Sequence, residues 1–279
     1  MEFMKEFILT NEAAIRATSF LGIFIVIALW ELVGPRRKLS VSKLLRWINN
    51  LGIVFFNTLL LRFLAPLMAV GLAIMAEEEN WGLLNNIAIN SYVKLFLAVL
   101  ILDLIIYLQH VMFHTVPWLW RLHRMHHTDL DFDVTTGSRF HPIEIILSMI
   151  IKMLIVAALG APPVAVIIFE VILNATAMFN HGNIRIHINA DRILRLLVVT
   201  PDMHRVHHSV KPDETNSDYG FNFPWRDRLL GTYKAQPEDN HLKMTIGLNQ
   251  FRESRYLRFH WLLIQPFVGK LGEYPIRKQ

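Results

Sequence analysis

The residues best suited to chemistry in this sequence are histidines, grouped at three places. His110 and His114 form a His-x3-His pair, and two later stretches have the spacing His-x2-His-His. The members of those stretches are His123, His126 and His127, then His204, His207 and His208. On a helix, residues three or four positions apart lie on one face, so each group can converge on one point. Neutral imidazole is a common ligand of transition metals, and eight imidazoles exceed the needs of one ion. The spacing therefore predicts a site for two metal ions.

Five further histidines lie outside these groups. His181 follows the last apolar segment, where it can reach the metal ions, and we predict it as a ninth ligand. His141 precedes the fourth apolar segment, and it is a ligand, a donor to a ligand or an ordinary interface residue. His187, His241 and His260 have no partner nearby in the sequence and are predicted to be ordinary residues.

The composition is that of a membrane protein. Of the 279 residues, 53% are hydrophobic and 18% are charged, whereas about a quarter of an ordinary soluble domain is charged. The net charge of +5 fits a basic face against anionic lipid. No basic stripe with interleaved aromatic residues indicates nucleic-acid binding. The chain has no cysteine, which excludes disulfides, thiolate ligands and an internal iron–sulfur cluster.

Long apolar runs predict the elements that position the histidines. They lie at residues 14–33, 51–75, 93–114, 143–159 and 164–179. The last two form a hairpin whose arms are close to the minimum length for a hydrocarbon core of about 30 Å, so it either crosses fully or only dips in. We therefore predict an all-α fold, an integral-membrane helical bundle of four or five hydrophobic segments, in a single domain over residues 1–279.

The charge bias predicts on which side the histidines lie. A basic segment over residues 36–46 follows the first run and is cytoplasmic by the positive-inside rule. If the chain crosses at each later run, all three histidine groups come to that same side. Residues 115–142 and 180–279 are accordingly predicted to form a cytoplasmic helical cap that holds the dimetal site. Within it, residues 256–268 are predicted to form an interfacial amphipathic helix.

Charged residues also lie inside the apolar runs, where an isolated charge is costly. Asp103 shares one helical face with His110 and His114, and it either orients a ligand from behind or pairs with another helix. Arg62 and Glu170 lie in the middle of two runs and are predicted to pair with each other. Lys152 either extends its charge to the membrane surface or pairs within the bundle.

Two other kinds of site are disfavoured by their spacing. A zinc hydrolase of the His-Glu-x-x-His type needs a glutamate after the first histidine, where this chain has Val111. The acidic series Asp129, Asp131 and Asp133 lacks the glycine and the closing glutamate of a calcium loop. We therefore predict a solvated loop for this series.

With these residues identified, the sequence resembles the fatty acid hydroxylase/sterol desaturase superfamily of integral-membrane di-iron enzymes. The family pattern of His-x3-His, His-x2-His-His and a later His-x2-His-His is matched by the three groups above. The likeness covers roughly residues 103–233. The sequence departs from the family pattern at two positions, which bear on the subfamily and not on the ligands. Val111 stands where arginine commonly follows the first histidine. Arg226 separates Trp225 from Asp227, where the family usually has Trp-Asp.

The resemblance implies two non-haem iron ions held mainly by histidines, O2 as co-substrate and hydroxylation of a lipid C–H bond. Desaturation, or methyl oxidation of a sterol-like lipid, uses the same ligands, and the spacing does not separate these reactions. No segment resembles a haem domain, so we expect a separate electron-donor protein, besides contacts with membrane lipids. A histidine-lined metal transporter is the alternative from another class. It would carry ionisable residues along successive spans, whereas these histidines gather at one end.

Overall fold

The computed structural model describes residues 2–64 and 68–274, and within these ranges every regular element is a helix. In chain order the α-helices are α1 (Glu2–Thr10), α2 (Glu12–Val33), α3 (Lys43–Leu64), α4 (Met68–Glu78), α5 (Ser91–Thr115), α6 (Pro117–His127), α7 (Pro142–Leu159), α8 (Pro163–Asn180), α9 (Ile188–Leu194), α10 (Pro201–His207), α11 (Pro212–Thr215), α12 (Trp225–Leu230), α13 (Asn240–Lys243) and α14 (Phe259–Ile264). Short 3-10 turns lie at Leu83–Asn85, Thr136–Ser138, Ser254–Leu257 and Gln265–Phe267. The predicted all-α fold is confirmed.

Five helical runs form the membrane bundle, and each is long and apolar enough to cross a bilayer. They are α2, the run through α3 and α4, α5, α7 and α8. Apart from the second run, their bounds agree with the predicted segments to within two residues. The second run begins earlier, at Lys43, because its first turns carry Arg46 and Asn50, which are buried against the polar cap and do not face lipid. The centre of this run, residues 65–67, lies outside the described residues.

The hairpin of α7 and α8 closes the end of the bundle opposite the histidines. Each arm begins with a proline, Pro142 or Pro163, at the first helical position, where the missing N–H costs nothing. Gly160 ends α7 with a left-handed φ of 64°. Gly82 packs directly on it, since a Cβ at residue 82 would lie 2.1 Å from the Gly160 nitrogen. The chain between α4 and α5 therefore approaches the hairpin turn closely, because neither Gly82 nor Gly160 has a side chain.

Helix α8 is the central helix, packed against α2, α4 and α5. Its residues Val166 and Phe169 are fully buried in the main apolar core, which also contains Ala73 of α4 and Ala98 of α5. The small side chains of these two alanines allow α4 and α5 to pack closely against α8. Helices α5 and α8 end on the same side of the bundle, where α7 begins, so their polar ends meet there.

The predicted pair of Arg62 with Glu170 is wrong. The Glu170 carboxylate accepts from Lys152 Nζ at 2.5 Å and also from Arg16. Arg16 is available because α2 packs along α8, whereas the Arg62 side chain on α3 is exposed. Lys152 therefore pairs within the bundle, which was one of its two predicted roles.

The predicted single helix over residues 256–268 is also wrong. The segment consists of α14 between two 3-10 turns, and Leu262 of α14 is buried against Ile53 and Met125. Helix α14 ends at Ile264 because Pro266, two residues later, has no N–H to donate to the Leu262 carbonyl oxygen. The Arg124 guanidinium donates to the carbonyl oxygens of residues 265 and 268, which follow the helix.

Candidate metal centre

All nine histidines predicted as ligands come together, in two adjoining groups on the polar side of the bundle. The five-histidine cluster contains His110, His114, His123, His127 and His207. The four-histidine cluster contains His126, His181, His204 and His208. Within each cluster, the ring nitrogens that could bind an ion lie within 4.8 Å of one another. All nine side chains are buried.

Each His-x2-His-His stretch is divided between the two clusters, contrary to the expectation that its three rings converge on one point. In α6, His123 and His127 belong to the five-histidine cluster and His126 to the other. Residues i+3 and i+4 of a helix point about 100° apart, so adjacent histidines face in different directions and reach different clusters. The stretch that begins in α10 is divided the other way round. Its i, i+4 pair, His204 and His208, belongs to the four-histidine cluster, and His207 belongs to the five-histidine cluster.

Three rings at the centre of each cluster meet at a distance suited to a common ion. His110 Nε2 lies 3.1 Å from the Nε2 atoms of His123 and His207. In the other cluster, His181 Nε2 lies 3.2 Å from the Nε2 atoms of two neighbouring rings. Two nitrogens that each lie about 2.0–2.1 Å from one ion, at tetrahedral or octahedral angles, are about 3 Å apart. The observed spacing is therefore that of metal ligands.

The loop after α11 orients two rings of the five-histidine cluster. His110 Nδ1 donates to the Tyr219 carbonyl oxygen at 2.7 Å, and His207 Nδ1 donates to the Ser217 carbonyl oxygen at 2.7 Å. A carbonyl oxygen can only accept, so Nδ1 carries the proton in both rings. Each Nε2 lone pair is then free to face the centre of the cluster.

Side chains orient two more rings of this cluster. His123 Nδ1 donates to Glu144 Oε1 at 2.6 Å, and His114 Nδ1 donates to Asn216 Oδ1 at 3.2 Å. A carboxylate behind an imidazole raises the basicity of the nitrogen that faces the ion. No pattern in the sequence links Glu144 to His123, 21 positions away.

The four-histidine cluster has fewer such contacts. His126 Nδ1 donates to the Arg139 carbonyl oxygen at 3.2 Å. His181 Nδ1 contacts both the Ala177 carbonyl oxygen at 2.8 Å and Asn180 Oδ1 at 2.6 Å. The other two rings of this cluster have no acceptor at Nδ1.

Several buried ring nitrogens of the two clusters have no hydrogen-bond partner among the described residues. They are His114 Nε2, both nitrogens of His127, both nitrogens of His204, and His208 Nδ1. A buried polar atom without a partner costs about 1–3 kcal/mol, so a protein seldom keeps so many together without a ligand. A donor set of neutral imidazoles suits iron, zinc, copper or nickel. The residues present therefore fit bound transition-metal ions.

Burial also keeps the rings outside the membrane spans in the neutral form that binds metal. It lowers the pKa of His123 to about 3 and the pKa of His181 to about 3. Burial, together with neighbouring imidazoles, lowers the pKa of His126, His204 and His208 well below the ordinary value. Neutral rings offer a lone pair at physiological pH.

The acidic series after α6 is buried, so the predicted solvated loop is wrong. Asp129, Asp131 and Asp133 all lie in the protein interior. Asp131 accepts backbone N–H groups of Ser40 at 2.8 Å and of Val41 at 2.9 Å. It thereby attaches the chain between α2 and α3 to the cap.

A buried ion network lies beneath the four-histidine cluster. Asp129 accepts from Arg46 Nε at 2.7 Å and lies 3.7 Å from Arg139, and Asp133 binds Arg46 from its other side. Burial opposes ionisation of Asp129, but Arg46 and Arg139 outweigh it and hold the pKa of Asp129 well below its ordinary value. Because the Arg139 carbonyl oxygen accepts from His126 Nδ1, this network fixes one ring of the cluster.

The remaining candidate histidines lie outside both clusters. His141 caps α7 by accepting the Ile143 N–H at 3.2 Å, so it has an interface role. His187 and His260 are exposed, and His241 is buried beside Gln236 at 3.0 Å. None of these four approaches the nine clustered rings closely enough to belong to either group.

Asp103 pairs with another helix, which was one of its two predicted roles. Its carboxylate accepts from the Arg226 guanidinium of α12. Arg226 is the residue that interrupts the usual Trp-Asp sequence, so this departure has a structural partner. An ion pair between α5 and α12 compensates the charge that each helix would otherwise bury alone.

A cavity of about 620 Å³ leads from the five-histidine cluster into the bundle. His110 and His123 lie at one end, and α2, α3, α5, α7 and α8 form the walls. Most of the lining is apolar, but Glu144, Ser148 and Lys152 form a polar stripe along one face of α7. The cavity is elongated along the spans and reaches the metal side at two of the clustered rings.

The fold and this centre define a histidine-rich membrane metalloprotein. The fatty acid hydroxylase family model matches residues 95–232, which include the three predicted histidine groups. The chain belongs to the fatty acid hydroxylase/sterol desaturase superfamily. No solved structure gave a significant match.

Curated relatives in this superfamily are named as lipid hydroxylases or monooxygenases. The ornithine lipid hydroxylase of Rhizobium tropici is 29% identical over 177 residues, which are 63% of this chain and 51% of the relative. The alkylglycerol monooxygenase of Homo sapiens is 29% identical over 185 residues, 66% of this chain and 40% of the relative. The cholesterol 25-hydroxylase of Rattus norvegicus is 24% identical over 198 residues, 69% of this chain and 62% of the relative. The chain thus spans about half the length of the first two.

Proposed function

We propose that this protein is an O2-dependent hydroxylase of a membrane lipid, and that its two histidine clusters hold two iron ions. The observation that supports this most is the cavity that begins at His110 and His123 and continues among the spanning helices. A lipid chain in this cavity would present a C–H bond directly beside the metal centre. The names of the relatives agree with such a reaction.

The nine clustered histidines would hold the ions, and each bound ion would supply activation of O2. The protein's own contribution is orientation. Glu144 holds His123 with its Nε2 towards the cluster, and the carbonyls of Ser217 and Tyr219 do the same for His207 and His110. The buried, largely apolar surroundings exclude water from the site, which protects reactive species from side reactions.

The substrate would enter the cavity sideways from the bilayer. Helices α2 and α3 meet near the metal side, where the rings of Phe24 and Trp47 are 5.3 Å apart. Farther along, both helices line the cavity, and Leu21 of α2 lines it although 56% of its surface is exposed. The cavity therefore communicates with the lipid-facing side of the bundle, and an acyl chain could pass between these two helices.

The polar stripe on α7 gives the cavity a side that suits a polar group of the lipid. Ser148 accepts from Gln109 at 2.9 Å, and Lys152 pairs with Glu170 one turn farther from the metal side. Electrons for the reaction would come from a separate redox protein at the polar cap. The cap would lie on the cytoplasmic side, as the basic segment over residues 36–46 predicts.

Metal content tests the proposal directly. Protein purified in detergent after iron-replete, anaerobic expression should contain about two iron ions per chain by elemental analysis, because each cluster offers at least four imidazoles. The double variant His126→Ala/His207→Ala should lose them. His260→Ala, an exposed histidine outside both clusters, should retain them and serves as the control. A single zinc ion, or no bound metal, would overturn the di-iron assignment.

Lipid analysis tests the reaction. Membranes of cells that express the wild type, compared with cells that express the double variant, should contain a lipid with one additional oxygen atom. A lipid that has instead lost two hydrogen atoms would show a desaturase. No change in any lipid, together with metal-dependent ion flux across vesicles, would favour a transporter.

A further inference from the structure

The lengths of α7 and α8 fix where the hydrocarbon of the bilayer ends on the metal side. Each helix has 18 residues, or about 27 Å at 1.5 Å per residue. A hydrocarbon core is about 30 Å thick, so neither helix has residues to spare if it crosses. The boundary on the metal side must then lie close to the level of His141 and His181, at the ends of these helices.

Helix α12 lies on the hydrocarbon side of that boundary. The Arg226 guanidinium donates to the Asp103 carboxylate and to the Leu100 carbonyl oxygen of α5. Asp103 precedes His110 by seven residues, which places it about 10 Å deeper into the bundle along α5. On the other flank, the hydroxyl of Thr176 in α8 donates to Asn222. The chain between residues 222 and 230 therefore runs beside two spans at membrane depth.

The outer face of α12 is apolar and faces no protein in the described part of the chain. Leu229 is 73% exposed, and Leu230 is also exposed. The segment that follows α9 lies beside α12, since Arg228 donates to the Arg195 carbonyl oxygen at 3.2 Å. Leu197, in that segment, is 69% exposed. Neighbouring exposed leucines of this kind mark a contact surface and are unfavourable in water.

Exposed cations border this apolar surface. The side chains of Arg192 and Arg228 are exposed next to the leucines. Arginine can lay its aliphatic stem on apolar surface while its guanidinium stays at the level of lipid headgroups. An apolar face with a basic border is the pattern of an element that lies in the interface of a membrane with anionic lipid.

We propose that α12 and residues 196–197 are inserted among the acyl chains of the metal-side leaflet, with Arg192 and Arg228 at its anionic headgroups. This replaces the expectation that residues 180–279 lie wholly in a cytoplasmic cap. The inserted helix also supports the metal centre. Its Asp227 accepts the N–H groups of Tyr219 at 2.7 Å and Gly220 at 2.9 Å, and the Tyr219 carbonyl orients His110.

The absence of cysteine from the chain makes the test direct. Leu229→Cys and Leu197→Cys are each labelled with an environment-sensitive fluorophore and placed in vesicles of phosphatidylcholine and phosphatidylglycerol. A proportion of the lipids carries spin-labelled acyl chains, which quench only fluorophores in the hydrocarbon. Leu154→Cys, at a 65% exposed position of α7, is the lipid-facing reference. Leu242→Cys, at a 62% exposed position between Asp239 and Lys243, is the matched reference on the polar cap.

Labels at residues 229 and 197 should emit at short wavelength and be quenched to within about twofold of the label at residue 154. Leu196→Cys and Leu230→Cys provide neighbouring positions if either first variant fails to fold. Quenching like that at residue 242, with access to aqueous iodide, would overturn the insertion. A label shielded from both quenchers would show a protein partner on this surface and would also overturn it. Neither result depends on the proposed reaction.

Discussion

The two histidine clusters contain similar ligands but are fixed in different ways. In the five-histidine cluster, every ring except His127 donates from Nδ1 to an acceptor, including the Glu144 carboxylate. In the four-histidine cluster, His204 and His208 have no such acceptor. Support comes instead from the ion network of Arg46 and Asp129 beneath it. One cluster is held in shape by its protein contacts, and the other depends more on the ion to fix its rings.

The largest expected difference concerns removal of one ligand. His181→Ala leaves three imidazoles in its cluster and removes a central ring, so the protein should lose one of its two ions completely. His114→Ala leaves four imidazoles, including the three that meet at about 3.1 Å, and should keep both. Elemental analysis of the two variants measures this. Equal loss of metal in both would contradict the difference between the clusters.

The second expected effect is on stability and affects the four-histidine cluster. Asp129→Asn removes a negative charge that faces the buried guanidiniums of Arg46 and Arg139. This should lower the free energy of unfolding by about 3 kcal/mol. Asp131→Asn is the matched control, since Asp131 accepts backbone N–H groups, and it should cost about 1 kcal/mol. Thermal unfolding in detergent compares them. If the two variants unfold alike, the ion network does not stabilise the four-histidine cluster.

A third expected effect is the order in which a chelator removes the ions. Acceptors behind metal-binding imidazoles raise affinity by about 10–100-fold, so the ion of the four-histidine cluster should leave first. The wild type should release metal in two phases. The His181→Ala variant, which retains only the other ion, should show the slow phase alone. A single phase in the wild type would mean that the two sites hold metal equally.

The smallest expected effect is that of one acceptor. Glu144→Gln replaces the charged partner of His123 and should accelerate the slow phase of chelation by about tenfold. Asn180→Ala should change the fast phase only a few-fold, because the Ala177 carbonyl still accepts from His181. Stopped-flow chelation resolves both. A larger effect at residue 180 than at residue 144 would reverse the comparison.

The sequence predicts the elements well where the signal is local. Apolar runs end within two residues of the observed α2, α5, α7 and α8, because a membrane span must be continuous and apolar. The nine clustered histidines are also found, eight by helical spacing and His181 by its place after a span. What spacing does not give is the division of each His-x2-His-His stretch between two clusters, because that depends on what surrounds the helix.

Two of the wrong predictions concern partners far away in the chain. Asp129 looks solvated in its polar neighbourhood, and its partner Arg46 comes 83 positions earlier. Glu170 pairs with Arg16, 154 positions away, because α2 lies along α8. Buried charges are paired almost without exception, so the sequence indicates that partners exist. Only the packing of the helices shows which residues they are.

The division of each His-x2-His-His stretch has a consequence for how this fold can diversify. Helices α6 and α10 each supply both clusters, so the separation of the clusters is set by the rise and turn of two short helices. The hairpin of α7 and α8, which walls the cavity, contributes His181 and the Glu144 carboxylate that orients His123. Apart from Glu144, its lining can therefore change in size and polarity while the geometry between the two clusters stays constant. A new substrate preference can arise in the walls without a new metal centre.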